Sequence, residues 1–203
     1  MKYIRSFETA NGYQTVKILL DLPNVSFVRE TREYKYMAYK KQKSNEIFAK
    51  YNINSVNSEI TLFNIPDGST ASQIFSSIKI DEIELSKITN TYQFDTTGEH
   101  TVKYTLIDYT IINDSLFKDC SSLTSIIIPD LVISIGQNAF YGCSSLASIT
   151  CKAMTAPAIT SYTFRDVKTS GTLTVPAGST GYGTWMSTGN YYLGMYGWTK
   201  VEQ

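Results

Sequence analysis

The chain has 203 residues, 42% of them hydrophobic, with 18 Lys and Arg balanced by 18 Asp and Glu and a single His. The balance excludes a global field for nucleic acid or an anionic membrane, and the apolar content suffices for a buried core. No apolar run approaches the roughly 20 residues of a membrane-spanning helix.

Charge is not spread evenly. Residues 1–50 hold ten basic against five acidic side chains, residues 51–109 three against eight, and residues 110–203 five of each. Two changes of sign suggest three modules, 1–45, 46–109 and 110–203. Met1-Lys2-Tyr3-Ile4-Arg5 is not followed by an apolar h-region, so export by an ordinary signal peptide is not expected.

Residues 1–45 read as a small basic α+β unit. Lys2 to Phe7 forms a strand, Tyr13, Val16, Ile18, Leu19, Leu20 and Leu22 an imperfect helical pattern stopped by Pro23. Val25–Val28 and Glu33–Met37 alternate as a hairpin across Thr31-Arg32. A unit this small seldom buries enough surface alone, so it is expected to dock, on another domain, a second copy or a larger assembly. Lys40-Lys41-Gln42-Lys43-Ser44-Asn45 reads as a linker.

Residues 46–109 carry strand signals alone: Ile47–Ala49, Glu59–Phe63, Ile78–Leu85, Thr91–Phe94 and His100–Leu106. Turn chemistry at Pro66-Asp67-Gly68 and Asp95–Gly98 separates them. Short alternating strands so spaced predict a β-sandwich. The stretch from Phe94 to Leu106 resembles the late hairpin of immunoglobulin-like modules.

Residues 110–203 repeat. Thr110–Asp130 laid over Ile133–Ala153 gives a period of 23, with Ile112 on Ile135, Phe117 on Phe140, Cys120 on Cys143, Leu123 on Leu146 and Ile126 on Ile149. Such a period predicts a solenoid whose turns bury one another's open faces. Phe164 falls 24 residues after Phe140 and Leu173-Thr174-Val175 supplies the strand of a third turn.

Chemistry-bearing residues are few. Nucleophile-and-base catalysis usually needs a histidine, and the one present, His100, alternates with Glu99, which would point to the opposite face. No catalytic residue is assigned. Asp81, Glu82 and Glu84 could serve as calcium ligands, but Glu82 and Glu84 share a strand face that Ile83 and Leu85 avoid, which reads first as half-buried alternation. The three cysteines, Cys120, Cys143 and Cys151, lack paired metal-site spacing. Cys120 and Cys143 would stack about 5 Å apart on neighbouring turns, a spacing that permits a disulfide, although a reduced buried ladder is the favoured reading. No metal or cofactor is expected.

A ligand site is expected, if anywhere, in the tail. Tyr182, Trp185, Tyr191, Tyr192, Tyr196 and Trp198 crowd together among glycines. Flat amphipathic rings suit sugars and protein interfaces. Equally, a solenoid must cover its last turn, and an aromatic cap does that without a ligand.

Two resemblances add to this reading. Leu116-Phe117-Lys118-Asp119-Cys120-Ser121-Ser122-Leu123, then Ile135-Gly136-Gln137-Asn138-Ala139-Phe140-Tyr141-Gly142-Cys143-Ser144-Ser145-Leu146, resemble the BspA-like, or treponemal-type, leucine-rich repeats. Asn113 and Leu116 depart from the consensus Gly and Ala, as a terminal repeat packed on another domain would. The resemblance implies a surface or secreted protein that binds a protein or glycan ligand on a cell surface. Tyr3–Thr9 with Leu22-Pro23-Asn24-Val25-Ser26 is similar to the opening of structural proteins from phages of gut anaerobes. It implies that residues 1–45 contact other virion or surface proteins, and that the chain is a structural or adhesive virion component, a homo-oligomer being one arrangement. The alternatives are a bacterial surface or extracellular adhesin and, less favoured, a glycan-acting enzyme. The expected architecture is therefore mainly β: a small α+β unit, an immunoglobulin-like β-sandwich, and a short leucine-rich-repeat solenoid with an aromatic C-terminal cap.

Overall fold

The structure is a computed structural model that describes residues 45–203 in full and, before them, the backbone of four strands. The chain divides into two compact units, Met1–Lys43 and Ser44–Gln203. In the first, β1 (Arg5–Thr9), β2 (Gly12–Gln14), β3 (Val28–Thr31) and β4 (Tyr34–Met37) form an antiparallel sheet in the order β2-β1-β4-β3. A hairpin forms from β3 and β4, with Val28 opposite Met37 and Thr31 opposite Tyr34, but β3 shares only Val28 with the expected Val25–Val28 strand, and Thr31, expected in the turn, is paired. Tyr13, expected to open a helix, instead lies in β2, opposite Glu8 of β1. The rest of that helical pattern, Val16 to Leu22, and the lysine cluster lie outside the described residues.

The second unit contains β5 (Glu46–Ile53), β6 (Glu59–Thr61), a single helical turn α1 (Ala71–Ile74), β7 (Phe75–Ile80), β8 (Ile83–Glu84), β9 (Thr91–Gln93) and β10 (Gly98–Leu106). It continues with β11 (Ile111–Ile112), β12 (Leu123–Ile128), β13 (Ser134–Ile135), β14 (Ser148–Cys151), β15 (Thr172–Val175), a 3-10 turn (Leu193–Tyr196) and β16 (Thr199–Glu202). One eight-stranded sheet runs β16-β15-β14-β12-β5-β10-β7-β8.

Its parallel half is the solenoid. Strands β12, β14, β15 and β16 are in parallel register, with Ile126 beside Ile149, Ile149 beside Leu173, and Leu173 beside Lys200. Four turns result, one more than the sequence suggests. The fourth strand, Thr199–Glu202, is exposed throughout and so lacks the inward aliphatics that mark the others. On the far wall, β11 and β13 pair in parallel with Ile112 beside Ile135.

Side chains follow the same period into the core. The rings of Phe117 and Phe140 stack at 5.5 Å and 3°, those of Phe140 and Phe164 at 5.7 Å and 7°. These spacings approach the separation of neighbouring strands, so the ladder is a direct product of strand pairing. Each turn also needs two backbone positions with positive φ: Ser115, Asn138 and Tyr162 at one, Asp119, Gly142 and Asp166 at the other. At Gly142 a Cβ would lie 2.2 Å from Oδ1 of Asp119, so close approach as well as φ requires glycine. Backbone bonds link turn to turn there: Phe117 N–H to Ala139 O at 2.8 Å, Phe140 N–H to Thr163 O at 2.9 Å and Gly142 N–H to Arg165 O at 2.9 Å.

The antiparallel half departs from the immunoglobulin-like sandwich expected for residues 46–109. Strands β5, β10, β7 and β8 all belong to the solenoid's own sheet, and only the short β6/β9 pair is separate. The cause is the free edge of β5: it accepts β12, so that Ala49 pairs with Ile126. The expected Ile78–Leu85 strand is likewise broken. Asp81 and Glu82 adopt φ of 47° and 67° and turn the chain back, pairing Ile80 with Ile83. Two consecutive positive φ values are the geometry of the tight hairpin turn that best matches strand twist. Above the sheet, Phe63 packs edge-on against Phe75 at 4.9 Å and Tyr104 packs edge-on against Phe117 at 5.6 Å. The buried hydroxyls of Tyr51 and Tyr104 both donate to Leu62 O, at 2.6 and 2.9 Å. Residues 46–109 thereby close the first turn of the solenoid.

Phe140 has a ring on each side, so Phe140→Ala should cost about 3–5 kcal/mol of unfolding free energy. Denaturant unfolding of the full chain measures this, and a loss below about 0.5 kcal/mol, the range of neutral surface changes, would contradict the ladder as core.

Candidate ligand-binding site

The lone histidine is held from several sides. His100 is buried, its Nδ1 lies 2.7 Å from Oδ2 of Asp81, and its Nε2 lies 3.1 Å from Thr96 O and 3.3 Å from Thr96 Oγ1. Phe94 packs on the ring at 4.5 Å. Asp81 also accepts from Thr101 N–H at 2.9 Å. The partner that the sequence did not reveal is thus Asp81, brought over by the β7–β10 pairing, while Glu99 faces Lys50 at 2.6 Å. The imidazole ties the turn before β10 to the β7/β8 turn. Among the described residues, no three His, Cys, Asp or Glu side chains group as a metal site.

All three thiols are free and buried. The Cys143 thiol donates to Phe117 O at 3.0 Å. Burial, with the Asp119 charge behind it, pushes Cys120 up, and burial raises Cys143 and Cys151 as well.

The aromatic tail divides into two groups. Tyr182, Trp185 and Trp198 are buried. Trp185 continues the phenylalanine ladder, 5.1 Å from Phe164, and its Nε1 donates to Pro157 O at 3.0 Å. Tyr182 donates to Ala153 O at 2.8 Å, and Trp198 to Lys168 O at 2.7 Å. Tyr191, Tyr192 and Tyr196 are half-buried. The Tyr196 hydroxyl accepts from Asp166 N–H at 2.9 Å, and burial raises its pKa.

Tyr191 joins residues that the sequence reading left out. The position after each ladder phenylalanine is Lys118, Tyr141 and Arg165 in successive turns, and all three are half-buried. Lys118 Nζ lies 5.4 Å and Arg165 Cζ 5.5 Å from the centroid of the Tyr141 ring. Arg165 Cζ also lies 5.6 Å from the Tyr162 ring and 4.9 Å from Tyr191. Those two rings stack on each other at 5.1 Å. Tyr162 and Tyr191 have φ of 71° and 59°, a backbone region costing about 1–2 kcal/mol per non-glycine residue. The 23-residue period could have pointed to this column, since it aligns exposed positions as firmly as buried ones. A separate polar cleft of about 470 Å³ is lined by Asn52, Asn54 and the repeated pairs Ser121-Ser122 and Ser144-Ser145.

Comparison with known families agrees with the geometry. Residues 110–186 match the BspA type leucine rich repeat region, in six copies. No curated protein and no solved structure matches the chain. Regions of this family are generally non-enzymatic and mediate protein interactions, and they point to a surface or adhesive protein. No helix among the described residues is long and apolar enough to cross a membrane.

Two outcomes follow from these burials and contacts. A thiol reagent at mildly alkaline pH should leave the native chain unlabelled and react with three thiols after unfolding, because the thiolate is the reactive form; rapid native labelling would contradict the buried stack. The hydrogen bond from His100, with that from Thr101 N–H, outweighs desolvation and lowers the Asp81 pKa below its ordinary 3.8. A lowered carboxyl stabilises the fold above its unfolded pKa and loses that contribution as pH falls through the folded value. Asp81→Asn should therefore unfold more easily than the wild type at neutral pH, with the difference shrinking on acidification below 3.8. A difference that instead grew on acidification would contradict the assignment.

Proposed function

We propose that the chain is a non-enzymatic structural or adhesive protein. In this reading residues 1–45 attach it to a larger assembly, and the repeats present a side surface to a glycan or protein on a cell. The observation that carries it is closure at both ends. Strand β5 covers the first turn, and the fourth, with Trp185 and Trp198 buried, covers the third, so the surface left for partners is the flank of the turns. The resemblance of the opening residues to phage structural proteins favours a virion, as a fibre or decoration component. The BspA-type repeats favour the second reading, an adhesin on a bacterial surface or outside the cell.

Light scattering on the full chain and on residues 44–203, which hold their own core, tests the attachment role. A closed oligomer that becomes a monomer on truncation is the expected result. Monomers in both cases would overturn assembly through residues 1–45. Beads coated with the full chain should adhere to intact cells; beads that adhere to no bacterial or epithelial surface would overturn the adhesive reading.

A further inference from the structure

The geometry points to a carboxylate-bearing saccharide as the ligand of the column formed by Lys118, Tyr141, Arg165, Tyr162 and Tyr191. This rests on the adhesive reading and gives it a site.

The guanidinium of Arg165 is the centre of the argument. Three tyrosine rings hold it within 5.6 Å of their centroids, which fixes the plane of the cation. Its Nε is buried without a hydrogen bond, the nearest carboxylate oxygen being Asp166 Oδ2 at 3.6 Å. Arginine presents its N–H donors as a rigid fork suited to two parallel bonds with a carboxylate. A fork set in place by rings, with its side chain 39% exposed and its ion pair to Asp166 a long one, is open to that ligand.

The second observation is the backbone. The repeat puts Ser115 and Asn138 where Tyr162 stands, and asparagine tolerates the left-handed conformation far better than tyrosine. Tyr191 carries the same strain and faces Tyr162. A tyrosine on the left-handed position that other turns give to Ser115 and Asn138, placed where two rings meet a cation, marks a surface arranged for binding.

The rings decide between a sugar and an acidic peptide. Peptides are held by main-chain bonds at a sheet edge, by a groove or, where acidic, by clusters of Arg, so the single Arg165 among rings favours the sugar. Here the backbone between Phe117 and Arg165 is engaged from turn to turn, as in Gly142 N–H to Arg165 O at 2.9 Å, which leaves contact to the side chains. Flat amphipathic rings receive the apolar face of a pyranose while the guanidinium takes its carboxylate. Lys118, two turns from Arg165 and thus roughly 10 Å away by strand spacing, is placed for a second acidic residue of the same chain. Asp166 competes for the fork and Asp119 sits beside Lys118, so the face is not a general polyanion trap.

Calorimetry on the full chain tests this with oligogalacturonate, a hyaluronan oligosaccharide and sialyllactose, each beside its carboxyl-reduced counterpart. At least one acidic sugar should bind, and its reduced form should bind roughly tenfold or more weakly. Arg165→Met should abolish the preference in protein that still unfolds cooperatively, Arg165→Lys should restore part of it, and Asp166→Asn should tighten binding. Equal binding of the reduced sugars, or no binding by any of the panel to folded protein, would overturn the proposal. So would hexaglutamate binding as tightly as the best sugar, which would assign the site to acidic peptides. Arg165→Met beads that still adhere to cells would sink this site while leaving the adhesive reading intact; full-chain beads that adhere nowhere would sink that reading.

Discussion

A turn of about 23 residues cannot bury its own face, and every other feature of residues 44–203 answers that constraint. Phe117, Phe140 and Phe164 each cover the next, and the stack would expose a ring at either end if the chain supplied only repeats. Tyr104 and Trp185 occupy those ends, one edge-on against Phe117 and the other tilted against Phe164. Hydrogen bonding poses the same problem, since a parallel strand leaves an open edge on each side. Strand β5 closes the first edge by antiparallel pairing. The last is left to β16, whose exposed Lys200 and Glu202 pair at 2.7 Å and make it a poor template for another chain.

This explains why residues 46–109 look like a domain in sequence and not in space. Their strands alternate and their turns are punctuated by Asp, Gly and Pro, as in any small β module. What the sequence does not carry is the partner of β5, because strand pairing between Ala49 and Ile126 leaves no local mark on either. The repeat itself was legible because its period is written in identical residues. The fourth turn was not, since Thr199–Glu202 has no buried face and its ring is a tryptophan 21 residues after Phe164. The break at Asp81-Glu82 escaped for a related reason: the turn lacks glycine, and its left-handed aspartate is held by contacts with His100 and Thr101 that become visible only when β7 lies beside β10.

The aromatic tail is a case where composition grouped residues that the fold separates. Tyr182, Trp185 and Trp198 donate their polar atoms to Ala153, Pro157 and Lys168, so their hydrogen-bonding capacity is spent inside the last turns. Tyr191 comes from the same stretch of chain, yet it packs on Tyr162 under Arg165. Proximity in sequence was a guide to which rings seal the stack, and a poor one to which rings meet the outside.

The period that aligns the core also aligns the surface, and this separates stability from recognition. Phe117, Phe140 and Phe164 are fixed by packing, whereas the next residue in each turn points away from the ladder and can be Lys118, Tyr141 or Arg165 without disturbing it. A solenoid therefore sets the spacing of its exposed column through the strand separation and leaves its chemistry free. Tyr162 is the exception that tests the rule: it stands at a backbone position where the other turns use Ser115 and Asn138, and a bulky side chain gains nothing there from the core. Its contacts are with Arg165 and Tyr191, both on the flank, so the left-handed backbone is what every turn requires, while the tyrosine placed on it is explained by what that surface holds.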